Sequence, residues 1–530
     1  MSEFLVKIEN IVGGMSPVQN FGAASQFDSS IGIDPDMPTT DSSVRMSGML
    51  RPTAMTKFSS TNVTNTPLWF LTNPKNDLVY AYMSDGKVTS YNSSLSGETL
   101  VATLASSSGN GALYYDNYLY FATNTDIARY GPLNGAPVMT TNYWTSTLGL
   151  AALTNTTYPT INGILIPNHI LHYHASSNKL YFANVVGGKT TISFISTTKT
   201  TVEGDTNNGA TSNKFTSTPY GYLPTCMANY GSDIAIGCIQ GTSNITTQRS
   251  SVILFWDGSS AAATKTISVE IPDMYITAMK NVNGSLYAWT GNSVGGCRLI
   301  KFQGGYSWTE VAYFEESFPP LHGATDHDLN RIIFAGNTTY PEASASVWAV
   351  GSRKAIVNAS SPGGLPIHNI LRTTSVGATP MVTALRYVTQ SSNAIKQPIV
   401  GWKDASSQGI DKITTGGGGV NQANVWRSQI FRVGKKFSLN RIRIPLTSPV
   451  VSGTIITATF YIDELTASQS LGNIINFTNY VNGEKNIAQR MNNVKGNHSF
   501  MLELRWTGTI LTGVALPITI HGEVLTDGTE

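Results

Sequence analysis

The sequence predicts an all-β protein, a β-propeller followed by a C-terminal β-sandwich or jelly roll, and three observations carry that expectation. Apolar residues at helical spacing are cut short almost everywhere by Gly, Pro or Asn. Short apolar-aromatic runs recur in pairs across turns of Gly, Asn, Asp or Ser, the signature of hairpins. The pairs return at steps of roughly 40 to 60 residues, the length of one four-stranded propeller blade. A four-stranded sheet exposes two apolar faces, and radial stacking covers both while leaving only short edges.

In chain order the hairpins fall at 78–82 with 88–91, 118–122 with 127–130, 179–183 with 191–195, 233–238 with 252–256, 284–289 with 298–302 and 331–335 with 346–350. A fainter seventh pairs 384–388 with 398–402. Seven repeats predict seven blades over 66–415, and six or eight also fit the faint last unit. Family-specific repeat signatures are missing, since only one Trp-Asp pair occurs, Trp256 with Asp257.

Residues 1–65 read differently. Gly13, Gly14, Gly22, Gly32, Pro35 and Pro38 break the stretch too often for a domain core, so it is expected to be an extended arm. Such an arm would donate a strand to the last blade or reach onto a neighbouring subunit. Its deletion over 1–60 should impair assembly or closure while leaving the sandwich folded. Gly416 to Gly419 open a linker over 416–425. Beyond it, 426–433, 437–446, 455–462, 500–506 and 516–524 read as longer alternating strands of a 426–530 sandwich. The segment 466–496 reads as a short helix or a long loop.

Composition excludes several functions. With 34 Lys+Arg against 32 Asp+Glu the formal charge is +2, so no global field exists to hold a polyanion, and nucleic acid is not expected as a partner. Hydrophobic residues at 41% are too many for a disordered chain. No apolar run approaches the roughly 18 residues of a membrane span, and no membrane insertion is expected. The first residues lack the basic flank and apolar block of a secretory signal. Cys226, Cys238 and Cys297 cannot close a disulfide framework, which suits folding in a reducing cytoplasm. Asn-x-Ser/Thr triplets, as at Asn62, Asn92 and Asn337, are chance products of a chain rich in these residues.

Candidate chemistry is sparse. His172 and His174 alternate onto one strand face near His169 and would make half a metal site, but no further ligand is visible. His322, Asp326, His327 and Asp328 concentrate before the sixth hairpin, and Tyr143 with Trp144 sit beside Thr and Asn. These six form a candidate surface-binding loop set, since aromatic and amide groups together stack on sugars or fill protein interfaces. Arg427, Arg432, Lys435, Lys436, Arg441 and Arg443 form the one basic concentration. Arg441 and Arg443 alternate with Ile442 and Ile444 and so point outward, either as a solvated face or toward an acidic neighbouring subunit. Glu315 and Glu316 have no matching base. No phosphate-binding loop and no nucleophile elbow occurs, so no enzyme, no cofactor and no metal is expected.

A resemblance adds to this. Ile11 to Gly14, Phe21 with Gly22, and the run from Phe27 to Pro35 are similar to the opening of tail-associated virion proteins of tailed bacteriophages, in which a glycine-rich arm precedes a β-propeller. Trp426 to Gly434 and Arg441 to Leu446 resemble accessory β-sandwich modules on such proteins. The resemblance covers the two ends and carries no catalytic residues over. It implies a structural part of a tail nozzle, hub, baseplate or fibre, made in the host cytoplasm and located in the virion. Its partners would be other tail proteins, copies of itself and a host-surface glycan. The rival reading is a carbohydrate-binding or carbohydrate-active propeller. A glycoside hydrolase needs two carboxylates roughly 5–10 Å apart, and Asp233, Asp257 and Asp326 show no repeated placement, whereas a lectin needs only aromatics and amides in its loops.

Overall fold

The protein is described from a computed structural model. It covers residues 2–525 apart from 10, 12–13, 16–25, 37–48, 59, 75–76, 93–95, 106–109, 151, 155–157, 162–163, 187–188, 196–201, 204–214, 217–221, 241–249, 259–265, 293–295, 303, 316, 339–342, 352–365, 391–392, 415–422, 464–466 and 477–484. Phe21, Gly22 and the Gly416–Gly419 run lie outside the described residues, as does most of the 416–425 linker. The chain divides into two compact units, one of 1–56, 338–374 and 413–530, the other of 57–337 and 375–412.

The second unit is a succession of antiparallel meanders. The first sheet runs Pro67–Thr72, Val79–Met83, Lys87–Tyr91 and Glu98–Thr103. The second runs Ala112–Tyr115, Tyr118–Ala122, Ile127–Gly131 and Val138–Thr140. Leu171–His174, Lys179–Val186, Lys189–Ile195 and Val202–Glu203 make the third, with Phe215–Thr216 beside it. Tyr222–Tyr230, Asp233–Gln240, Ser251–Trp256 and Ile267–Ile271 make the fourth, and Tyr275–Val282, Ser285–Gly291, Cys297–Phe302 and Trp308–Phe314 the fifth. A hairpin of Thr325–Asp328 and Arg331–Thr338 follows. The last sheet is Met381–Gln390, Asn393–Lys403 and Gln408–Ile413, and the strand that ends at Lys57 takes its fourth position. The faint seventh hairpin therefore supplies strands one and two of its sheet, where the first five supply strands two and three.

Each sheet packs on the next, and the last packs on the first. Tyr82 donates to the Ala122 carbonyl at 2.8 Å, joining sheets one and two. Tyr120, Trp144, Leu171 and Phe182 share a core between two and three, and Tyr181, Ile192, Met227, Ile236 and Trp256 share one between three and four. Tyr230 meets Phe302, and Trp289 meets Phe334 of the hairpin, with ring centroids 6.4 and 5.5 Å apart. Phe70, Val79 and Met83 of the first sheet bury against Ala384, Val388 and Ile399 of the last. The cycle is closed, which is the arrangement of a β-propeller.

A repeated device ties the seams. The first strands of sheets four, five and the last each carry a bulge at a threonine, Thr225, Thr277 and Thr383. The bulge leaves this residue out of the ladder and frees its hydroxyl to reach the neighbouring element. Thr277 Oγ1 donates to the Pro320 carbonyl at 2.7 Å, Thr383 Oγ1 to the Pro67 carbonyl at 2.5 Å, and Thr225 Oγ1 to the Ile276 carbonyl. Gly401 lets the closing seam approach, because a Cβ there would lie 2.9 Å from Pro67 Cβ.

The first unit contains two larger sheets around one core. Ser2–Ile8, Ile518–Val524, Phe437–Pro445 and Asn486–Gly496 form a four-stranded sheet in that order. Ser29–Ile31, Asn424–Arg427, Ser499–Trp506, Ile455–Ile462 and Ala467–Asn476 form the other, with Phe431–Arg432 also beside Ser499–Trp506. Ile455–Ile462 alternates strictly, burying Ile456, Ala458, Phe460 and Ile462. These join Trp426, Ile442, Ile444, Phe500, Leu502, Trp506, Ile518 and Ile520 in one cluster. Ser344–Val350 pairs with Ile367–Arg372 in the same unit.

Two expectations are corrected here. The segment 466–496 is neither helix nor long loop in its described residues, but carries the edge strands Ala467–Asn476 and Asn486–Gly496. Nor do the first 56 residues stand apart from the C-terminal sheets. Ser2–Ile8 pairs along its whole length with Ile518–Val524, and Ser29–Ile31 pairs with Asn424–Arg427. Ile8, Ile11, Phe27, Ile33 and Leu50 lie in the shared core, so a deletion of 1–60 would take part of that core with it.

Candidate functional site

The first strands of the second unit bring titratable groups to equivalent positions. His172, Lys280, Asp326 and Arg386 stand opposite Tyr181, Tyr287, Ile333 and Ile399 on their second strands. Asp326, 7% exposed, accepts the Tyr387 N–H at 2.8 Å and lies 3.7 Å from Arg386 Nε. Burial pushes its carboxyl up, but Arg386, Lys280 and the Tyr387 N–H outweigh it and hold the group below the usual carboxylate range. Burial lowers Lys280, with Asp326 opposing the shift. Burial also lowers His322, aided by the nearby Lys280. The cluster is thus one carboxylate held among cations beside neutral imidazoles. Such a set fixes neighbouring sheets to one another and supplies no nucleophile paired with a base.

The proposed surface-binding residues divide sharply. His322 and Asp326 are buried, in the turn His322–Ala324 and the strand Thr325–Asp328 rather than in an open loop. The His322 ring stands edge-on to Trp69, 5.7 Å between centroids. His327 is exposed and, with Asp77, Arg386 and Lys396, lines a cavity of about 340 Å³. Asp328 pairs with Lys396 at 3.6 Å. Tyr143 and Trp144 are wholly internal, at 0% and 1% exposure, and do not form a surface site. The Asp126 carboxylate accepts the Trp144 N–H at 3.0 Å and anchors the helical turn Tyr143–Thr147, which turns both rings inward. Trp144 meets Phe182 edge-on at 4.6 Å, and Arg129 lies 4.0 Å over the Tyr143 ring.

His172 and His174 on the strand Leu171–His174, and His169 in the bend just before it, each have an ordinary partner. His169 Nε2 contacts the Asn124 carbonyl at 3.0 Å, His172 Nε2 the Asn229 side chain at 2.8 Å, and His174 Nδ1 the Ser177 hydroxyl at 2.9 Å. Burial pushes His169 and His172 down to about 4. Among the described residues, no three of His, Cys, Asp and Glu gather as a metal site. All three cysteines are buried thiols, and burial pushes Cys226 up to about 12. Among the described residues, no helix is long and apolar enough to cross a membrane.

The basic group also divides. Arg427 is buried, not part of an exposed interface: its Nε lies 2.7 Å from Glu503, directly opposite it across the sheet. Tyr461 donates to Glu503 at 3.2 Å, and Arg505 flanks the other carboxylate oxygen at 3.3 Å. Arg432, Lys435, Lys436, Arg441 and Arg443 are exposed. Arg441 stands in register between His521 and Arg490, and Arg443 stands one row further along; all four are exposed. Sequence reasoning missed Arg490 and His521 because their strands lie about 50 and 80 residues downstream, outside any local charge run.

It also missed a cavity of about 670 Å³ at the turns of sheets two and three. Tyr114, Tyr115, Tyr118 and Tyr173 line it with Asp116, Asn117, Asn134, Asn178 and Pro132. A signal was present, since Tyr-Tyr-Asp-Asn-Tyr over 114–118 is a two-residue hairpin turn flanked by aromatics. Gly131 makes room for one wall, because a Cβ there would lie 2.5 Å from the Tyr118 ring.

No protein-family model matches the chain, and no curated protein does. Three solved structures give distant likenesses. The Neurospora crassa Pan2 WD40 domain has a TM-score of 0.41 at 9% identity, over 69% of this chain and 95% of that one. The computationally designed Ika8 protein gives 0.37 at 11% identity, over 67% and 98%. BBS1N, solved in complex with ARL6DN, gives 0.36 at 10% identity, over 68% and 98%. With these three TM-scores below 0.5, the fold stands on the packing of the chain's own sheets.

Proposed function

We propose that the chain is a structural component of a bacteriophage virion, acting in the tail through protein–protein assembly and without catalysis. On this reading the cycle of sheets is a seven-bladed propeller, the hairpin Thr325–Asp328 with Arg331–Thr338 opening the blade before the last. The two facing sheets of the other unit form a β-sandwich into which the N-terminal strands are woven. One observation supports assembly above the rest: the row His521, Arg441 and Arg490 on the exposed face of the four-stranded sheet, with Arg443 and Lys7 in the next row. Like charges directly opposite one another across strands are destabilising, and an acidic neighbouring surface relieves them. The partners are other tail proteins and copies of this chain.

Antibody labelling of purified particles by electron microscopy tests the location, and the Arg441→Glu/Arg490→Glu chain tests the face. Labelled tails, and particles lacking complete tails when the double variant replaces the wild type, are the expected results. Unlabelled particles, or complete tails built with the charge-reversed chain, overturn the proposal.

A further inference from the structure

The tyrosine-walled cavity of sheets two and three is built by two rigid hairpins. Asp116 and Asn117 both take positive φ, 40° and 70°, as a tight two-residue turn requires, so Tyr115 and Tyr118 face each other directly across the strands. Asn178, at φ 52°, turns the neighbouring hairpin and holds two walls at once. Tyr115 OH donates to its carbonyl at 2.9 Å, and Tyr173 OH donates to its side-chain oxygen at 3.1 Å. The Tyr115 and Tyr173 rings lie 5.7 Å apart at a tilt of 37°. These bonds order the walls in advance of any ligand, so binding forfeits little side-chain freedom.

The chemistry of the lining is specific. Tyrosine faces take the C–H faces of a pyranose ring, while the side-chain amides of Asn134 and Asn178 both donate and accept, as sugar hydroxyls require. Asp116 is the one charged residue of the lining, and no Lys or Arg lines it, so the walls themselves offer an anionic ligand no cation. A volume of about 670 Å³ is that of a small-molecule site. Tyr173 is 36% exposed, which leaves its ring available to a ligand. The geometry points to a binding site for a neutral oligosaccharide, with Tyr173 as the exposed stacking platform. This inference does not require a place in a virion.

The test is retention of the full chain on a panel of immobilised neutral and sialylated oligosaccharides, followed by titration calorimetry with the strongest neutral binder. Wild type and Tyr313→Ala, an exposed tyrosine outside the cavity, should bind alike. Tyr173→Ala should bind about ten-fold more weakly, the worth of one aromatic stack. Tyr173→Phe, which keeps the ring, should lose no more than a few-fold, and equal melting temperatures establish that the variants are folded. Absence of any neutral binder at millimolar concentration, retention of sialylated sugars alone, or unchanged affinity in Tyr173→Ala each overturns the inference. Sugar binding by a chain absent from virions would uphold it and remove the assembly reading.

Discussion

Replacing Thr277 by Val removes one hydroxyl from the seam beyond the fifth sheet and leaves the shape of the side chain almost unchanged. Thr277 is 1% exposed, and its Oγ1 donates to the Pro320 carbonyl at 2.7 Å. A net hydrogen bond contributes about 1 kcal/mol, and a buried carbonyl left without its donor costs about 1–3 kcal/mol. The added methyl returns part of this through apolar burial, about 0.8 kcal/mol per carbon. A net loss of about 1–2 kcal/mol follows, or about 2–3 °C for a unit of roughly 300 residues. Urea unfolding followed by intrinsic tryptophan fluorescence reads it, with Trp289 fully buried in the same sheet among the reporters. Thr383→Val acts at the closing seam through the Pro67 carbonyl, so the two losses should add, being in separate contacts. Thr277→Ser keeps the donor and should cost less than Val. A Val variant as stable as wild type, with Ser the more damaging change, would show that methyl packing rather than the hydroxyl ties the seam.

Four further outcomes are expected. His169 is buried with its pKa lowered to about 4, against an ordinary 6.5 in the unfolded chain, so its contribution is complete above pH 6.5 and is lost as pH falls through 4. The loss is roughly 3 kcal/mol in all, and urea midpoints between pH 7 and 4 should fall less steeply in His169→Gln. Arg427→Met strips Glu503 of its closest cation and should destabilise the first unit by about 3–5 kcal/mol in thermal unfolding. Removing residues 1–8 uncovers the Ile518–Val524 strand, and hydrogen exchange of amides 518–524 should accelerate while the second unit stays protected. Asp404 accepts the Ser406 and Ser407 N–H groups at 2.9 and 2.7 Å and the Ser375 hydroxyl at 2.8 Å, so Asp404→Ala should cost about 1–3 kcal/mol in the same urea assay.

Hairpins with a continuous apolar run buried on both faces and a short turn were legible because both signals are local. Leu180 to Phe182 and Leu286 to Ala288 read as strands from five residues of context. The edge strands at 467–476 and 486–496 were not legible, because each pairs on one side only and carries many exposed polar residues, which dilutes the alternation. Thr225-Cys226-Met227, Thr277-Ala278-Met279 and Thr383-Ala384-Leu385 repeat in plain view, yet a bulge is invisible until the register is known. Tyr143 and Trp144 beside Thr and Asn read as surface aromatics. Asp126, seventeen or more residues earlier in the chain, turns them inward.

By itself the chain's text determined an all-β architecture, the positions of most central hairpins, a balance of charge and the outward direction of Arg441 and Arg443. These follow from side-chain alternation and turn chemistry within a few residues. Tertiary structure alone decided that Ile8 and Phe27 share a core with Ile520 and Trp426, and that Arg427 is clasped by Glu503. It alone set Arg441 beside Arg490 and His521, and gathered four tyrosines into a cavity. Pairing between strands far apart in sequence is chosen by the burial each register achieves across the whole sheet, and no local window contains that sum.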